Sequence, residues 1–91
     1  MLTLDSCPKI NPEVVGRKVD NEAVVVLPAK GKVEVLNEVG AFIWERVDGN
    51  RTLGEIAEDV CSTFDVAPAQ AERDVIAFIT DLLKRQVLLL D

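Results

Sequence analysis

At Leu36-Asn37 the hydrophobic period of this chain changes without a linker. Before that point Val33-Glu34-Val35-Leu36 reads as a strand, and after it Val39, Phe42, Ile43 and Val47 recur at helical spacing. A strand that runs straight into an amphipathic helix must bury its apolar side against the same core as that helix. This junction makes the chain α+β. Asn37 is suited to cap the helix, Trp44 flanks its buried stripe and reads as core, and Asp48-Gly49-Asn50 ends it with Gly49 fit for a left-handed C′ position.

Upstream, two more strands are predicted. Val14-Val15-Gly16-Arg17-Lys18-Val19 within residues 13–20 is the first, with Gly16 a candidate bulge, and the β-branched run Ala23-Val24-Val25-Val26-Leu27, ended by Pro28, is the second. Asp20-Asn21 is turn chemistry, and Ala29-Lys30-Gly31 connects to the third strand, Lys32 to Leu36. Short connections favour an antiparallel meander. Residues 1–12, with Pro8 and Pro12 and no sustained period, read as a flexible N-terminal arm, which leaves residues 13–91 as one domain.

Downstream the chain stays helical. Thr52-Leu53-Gly54-Glu55 fits a capping box, and Leu53, Ile56, Ala57, Val60, Cys61 and Phe64 form a one-faced stripe behind it. Pro68 opens a third helix that runs to about Arg85, with Glu72 and Asp74 early and Lys84 and Arg85 late, as the helix dipole favours. Its apolar residues Ala71, Val75, Ile76, Phe78, Ile79, Leu82 and Leu83 spread over about 160°, wider than the roughly 100° that packing on a single core needs. Such a helix is deeply buried or faces two things. Val87 to Leu90 is a short extended tail packed back on the domain.

Three strands followed by three helices outline a winged-helix-like domain, which brings a DNA-binding regulator forward as the alternative reading. Charge speaks against it. The chain has a net charge of −6, and Arg73 on the third helix sits between Glu72 and Asp74, whereas nucleic-acid binding draws its energy from Lys and Arg on phosphates. The same balance disfavours an anionic membrane surface, and no apolar run approaches the ~20 residues of a membrane span. No signal peptide opens the sequence, so a cytoplasmic location is expected.

Catalytic chemistry has little to work with. The chain contains no His and no Tyr, and Glu58 and Asp59 lie on a solvated helix face without a partner group. Cys7 and Cys61, 54 positions apart, cannot supply a tetrahedral metal site; Cys61 reads as core and Cys7 as an incidental thiol. No catalytic residue, metal or cofactor is expected, and recognition is favoured over catalysis.

The segments Leu36-Asn37-Glu38-Val39-Gly40-Ala41-Phe42-Ile43-Trp44, Asp48-Gly49-Asn50-Arg51-Thr52-Leu53-Gly54-Glu55-Ile56, Asp74-Val75 and Phe78-Ile79, in this order and spacing, resemble the coenzyme PQQ synthesis protein D family. The resemblance runs from about Glu13 to Leu90. One departure is Gln86, where such proteins commonly have Gly after the last helix. The resemblance implies a peptide chaperone, or precursor-peptide recognition element, that holds the leader of a ribosomally made, PqqA-like peptide and presents it to a PqqE-like radical S-adenosylmethionine enzyme. It implies further that the leader lies as an extra strand beside the third strand, in the groove before the third helix. The expected peptide-binding residues are Val33, Glu34, Val35 and Leu36 with Asp74, Val75, Phe78, Ile79 and Leu82. An exposed strand edge also allows a monomer or a strand-exchanged dimer.

Overall fold

The most strand-like run of the sequence, Glu22–Leu27, forms the middle strand of a three-stranded antiparallel sheet in a computed structural model that describes residues 2 to 90. Met1 and Asp91, the outer ends of the expected arm and domain, lie outside the described residues. In chain order the elements are β1 (Lys9–Ile10), β2 (Val15–Val19), β3 (Glu22–Leu27), β4 (Lys32–Leu36), α1 (Glu38–Arg46), α2 (Leu53–Phe64), α3 (Pro68–Lys84) and β5 (Leu88–Leu89). The main sheet has the order β2-β3-β4, and β1 pairs with β5 in a separate two-stranded ribbon. This is the expected α+β, winged-helix-like arrangement.

Alternation along β3 decides which side of the sheet is covered. Ala23, Val25 and Leu27 are buried, while Val24 and Val26 on the other side are only half-buried. Leu36 at the end of β4 joins the buried side and leads into α1. Ile43 of α1, Leu53, Ile56 and Val60 of α2, and Val75 and Ile79 of α3 complete one core, and complete burial of each such side chain contributes about 1.5–3 kcal/mol.

The helix starts follow local chemistry. The Asn37 side chain accepts from Gly40 N at 2.8 Å, and at α2 Thr52 Oγ1 accepts from Glu55 N at 3.1 Å while Glu55 Oε1 accepts from Thr52 N at 2.9 Å. The two α2 amides left over, Leu53 N and Gly54 N, donate to the carbonyls of Ser6 and Leu4 at 3.0 and 2.9 Å. Here the structure corrects the reading of residues 1–12 as a flexible arm. Leu2 to Asn11 is laid along the domain, with Pro8 buried, Leu4 and Ile10 packed on the core, and Asn11 N donating to Val87 O at 3.0 Å. The reason is that a helix N-terminus has orphan amides, and main-chain carbonyls satisfy them without any side-chain signature.

Two smaller expectations also change. Gly16 is not a bulge, because β2 pairs with β3 without interruption from Val15 to Val19; instead the Trp44 ring occupies the place a Cβ would take. The end of α1 is an extended Val47, with the left-handed Gly49 (φ 82°) two residues further on, donating its amide to Pro8 O. After α3, Gln86 itself adopts φ 63°, Gln86 N donates to Leu83 O and Val87 N to Leu82 O. That is a Schellman ending with Gln in the position that favours Gly.

Candidate functional site

β4 is an outer strand of the sheet, and the hairpin before it determines which of its backbone groups are open. Val19 and Glu22 face each other across the two-residue Asp20-Asn21 connection, so they must exchange both hydrogen bonds, since the alternative would pair Asp20 with its own neighbour. Exchange then falls on Val19, Arg17 and Val15 with Glu22, Val24 and Val26. The intervening residues of β3, Ala23, Val25 and Leu27, turn their bonds the other way, onto Leu36, Glu34 and Lys32. The amides and carbonyls of Val33 and Val35 therefore point away from β3, out of the sheet edge, where no strand of the described residues meets them.

Side chains alternate in step with the backbone. Val33 and Val35 project onto the sheet face away from the helices and are 61% and 67% exposed, whereas Glu34 and Leu36 project toward the helices. Glu34 is half-buried and forms an ion pair with Arg85, one residue past the end of α3. Arg85 Nε also donates to Asp81 Oδ2 at 3.1 Å, and the two carboxylates, Asp81 first, hold the guanidinium even more firmly protonated than usual.

Arg85 continues a stripe of α3, Asp74, Phe78 and Asp81, the four at offsets 0, 4, 7 and 11, and its ion pair with Glu34 joins that wall to β4 at the wall's last residue. Phe78 is half-buried and lies against Gly40 of α1, so close that a Cβ on Gly40 would come within 2.9 Å of its Cε1. Asp74 is exposed and accepts from Gln70 Nε2 at 2.8 Å. The arrangement offers two open peptide groups, an aromatic side chain and an ion pair. That is chemistry for holding an extended peptide.

Of the nine expected binding residues, Val33, Glu34 and Val35 lie on β4, and Asp74 and Phe78 lie on the α3 stripe that Arg85 continues. The structure places Val75, Ile79 and Leu82 in the core, with Leu36 beside them, so these four support the groove from behind. The broad apolar arc of α3 is accounted for by deep burial: Ala71, Val75, Ile79 and Leu82 are inside and Ile76, Phe78 and Leu83 flank them. Asp81 and Arg85 were missed, although a step of seven residues, two helical turns, from Asp74 and from Phe78 reaches each. Among the described residues no group of three or more His, Cys, Asp or Glu is placed to hold a metal ion, and no helix is long and apolar enough to cross a membrane.

Comparison with known proteins finds relatives in both sequence and fold. The sequence model of the family described as Coenzyme PQQ synthesis protein D matches residues 22–88. The chain is 34% identical over 88 residues to a PqqA binding protein of Xanthomonas axonopodis pv. citri (strain 306), covering 97% of this chain and 95% of that one. Two solved structures share its fold. TbiB1 in complex with the TbiA(beta) leader peptide superposes with a TM-score of 0.80 at 30% identity, covering 88% of this chain and 93% of that one. Lasso peptide synthetase B1 complexed with its leader peptide gives 0.83 at 25% identity, covering 92% and 99%.

Proposed function

The chain belongs to the coenzyme PQQ synthesis protein D family, and from that membership we propose that it is a peptide chaperone, which binds the leader of a ribosomally synthesised precursor peptide along β4 and presents it to a radical S-adenosylmethionine maturation enzyme, as in PQQ biosynthesis. It works in the cytoplasm, where such precursors are made, and contributes binding rather than catalysis. The observation that carries the reading is the open edge of β4, with the peptide groups of Val33 and Val35 facing outward and Glu34, between them, tied through Arg85 to the α3 stripe of Asp74, Phe78 and Asp81.

Magnitudes show how the labour divides. Two residues with one donor and one acceptor each allow about four backbone bonds to an added strand, worth roughly 0.5–1.5 kcal/mol apiece and so about 2–6 kcal/mol together. Micromolar binding needs about 8 kcal/mol. Side chains must supply the difference. Residues of the leader level with Glu34 point into the groove, where Phe78 favours an apolar side chain and the Glu34–Arg85 pair a polar one. Backbone pairing therefore holds any extended segment weakly, and the groove selects the leader.

The test is a calorimetric titration with the leader of a PqqA-like precursor peptide, followed by amide hydrogen exchange. Saturable one-to-one binding is expected, with new protection at Val33 and Val35 and little change at Glu34, whose amide is already bonded to β3. No binding, or protection confined to other elements, would overturn the reading.

A further inference from the structure

Asn11 stands at a junction between two parts of the molecule. Its backbone N–H donates to Val87 O at 3.0 Å and its side-chain Nδ2 to Gln86 O at 2.9 Å, while its Oδ1 accepts from Glu13 N at 3.0 Å and its carbonyl from Val14 N at 2.9 Å. The two side-chain partners fix the orientation of the amide, because a peptide N–H calls for its oxygen and a peptide carbonyl for its nitrogen. One residue of the N-terminal segment thus ties the entry to β2 to the turn that follows α3.

That turn is strained. Gln86 is held at φ 63°, a conformation in which a residue with a Cβ stays only where its surroundings over-determine it. Two of the bonds around it, Gln86 N to Leu83 O and Val87 N to Leu82 O, come from the helix end itself. The other two, on the carbonyls of Gln86 and Val87, both come from Asn11. The residue before Gln86 is Arg85, whose guanidinium pairs with Glu34 in the middle of β4 and with Asp81. Where the Arg85 Cβ points is set by the backbone on either side of it, α3 before and the Gln86 turn after.

We propose that Asn11 is a positioning residue for leader recognition: by clamping the carbonyls of Gln86 and Val87 it holds the turn that aims Arg85 across to Glu34, and so sets the polar part of the groove without touching the peptide. The proposal rests on the leader reading of β4, and it makes the N-terminal segment part of the recognition machinery. Its test uses the full chain and the leader of a PqqA-like precursor peptide. Asn11→Asp keeps the oxygen that Glu13 N uses and loses the donor to Gln86 O; Asn11→Ala loses both and adds no charge, so a change shared by the two belongs to the lost donor. Each is measured alone and combined with Arg85→Ala, by calorimetry with leader, with urea midpoints to establish folding and the NMR signal of the Arg85 Nε–H to follow the guanidinium in the absence of leader.

The expected result is that both single variants fold, shift leader affinity at least fourfold in the direction that Arg85→Ala shifts it, and exchange the Arg85 Nε–H with water faster than wild type. On the Arg85→Ala background the same substitutions change affinity less than twofold, the non-additivity of residues that act through one another. Unchanged affinity in the folded variants overturns the proposal. Losses that multiply with that of Arg85→Ala do so too, as do variants that fail to fold, since either marks Asn11 as a support of the whole domain. An effect seen with Asn11→Ala alone assigns it to the Glu13 turn and overturns the proposal as well. A wild type that binds no leader removes the leader reading itself, and the Arg85 signal still reports on the clamp.

Discussion

The guanidinium of Arg85, just past the end of α3, meets the carboxylate of Glu34 in the middle of β4, and so ties the open strand to the helix that walls it. Both groups reach solvent, and exposed ion pairs add little to folding. Arg85→Ala should therefore move the thermal midpoint by no more than about 8 °C. Leader affinity should change more than stability, and its dependence on salt should fall. Calorimetry at two ionic strengths beside a thermal melt makes the comparison.

Gln86 holds a left-handed backbone conformation that Gly adopts without steric cost. Its carbonyl accepts from Asn11 Nδ2 at 2.9 Å, a bond that survives loss of the side chain. Gln86→Gly should stabilise the protein by about 0.5–1 kcal/mol, the left-handed strain removed less the extra freedom of glycine when unfolded. A rise in the urea midpoint at constant slope is the readout.

Gly16 and Trp44 share a position that has no room for a methyl group. Gly16→Ala forces the indole aside, an overpacking that costs about 1–3 kcal/mol. Trp44 is the one tryptophan of the sequence, so its fluorescence reports the displacement directly. A red-shifted emission maximum should accompany the lower urea midpoint.

Ile56 and Phe42 separate a central from a peripheral core position. Ile56 is fully enclosed, and Ile56→Ala should cost about 2–5 kcal/mol. Phe42 is half-buried, edge-on to Phe64 at 5.1 Å between ring centres, with the Arg46 guanidinium over its other face at 3.4 Å. Those contacts are partly open to water, so Phe42→Ala should cost less, about 1–3 kcal/mol. Chemical denaturation of the two variants side by side decides the order.

What could be read from the residues was what local chemistry encodes. The Asn37 cap, the Thr52–Glu55 box, Pro68 at the start of α3 and the change of period at Leu36 each carry a side-chain signature, and the element order follows from them. The holding of Leu2 to Asn11 could not be read this way, because Leu4 and Ser6 serve α2 through their carbonyls and any residue has one. Val75, Ile79 and Leu82 were ambiguous for another reason. An apolar residue on a helix has the same pattern whether it meets its own core or a partner, and only the packed structure separates Phe78, at the rim, from Ile79, inside. The direction of the β4 amides depends on the Val19–Glu22 pairing two strands away.

That direction gives the sharpest test of strand addition at β4. Proline removes a backbone N–H and so reports where that N–H points. The Glu34 amide bonds β3, and Glu34→Pro should cost about 3 kcal/mol or more and unfold a domain of this size. The Val35 amide faces the open edge, so Val35→Pro should keep its circular dichroism spectrum and urea midpoint near wild type while leader affinity in calorimetry falls at least tenfold. A Val35→Pro protein that folds and binds leader as tightly as wild type would contradict the account.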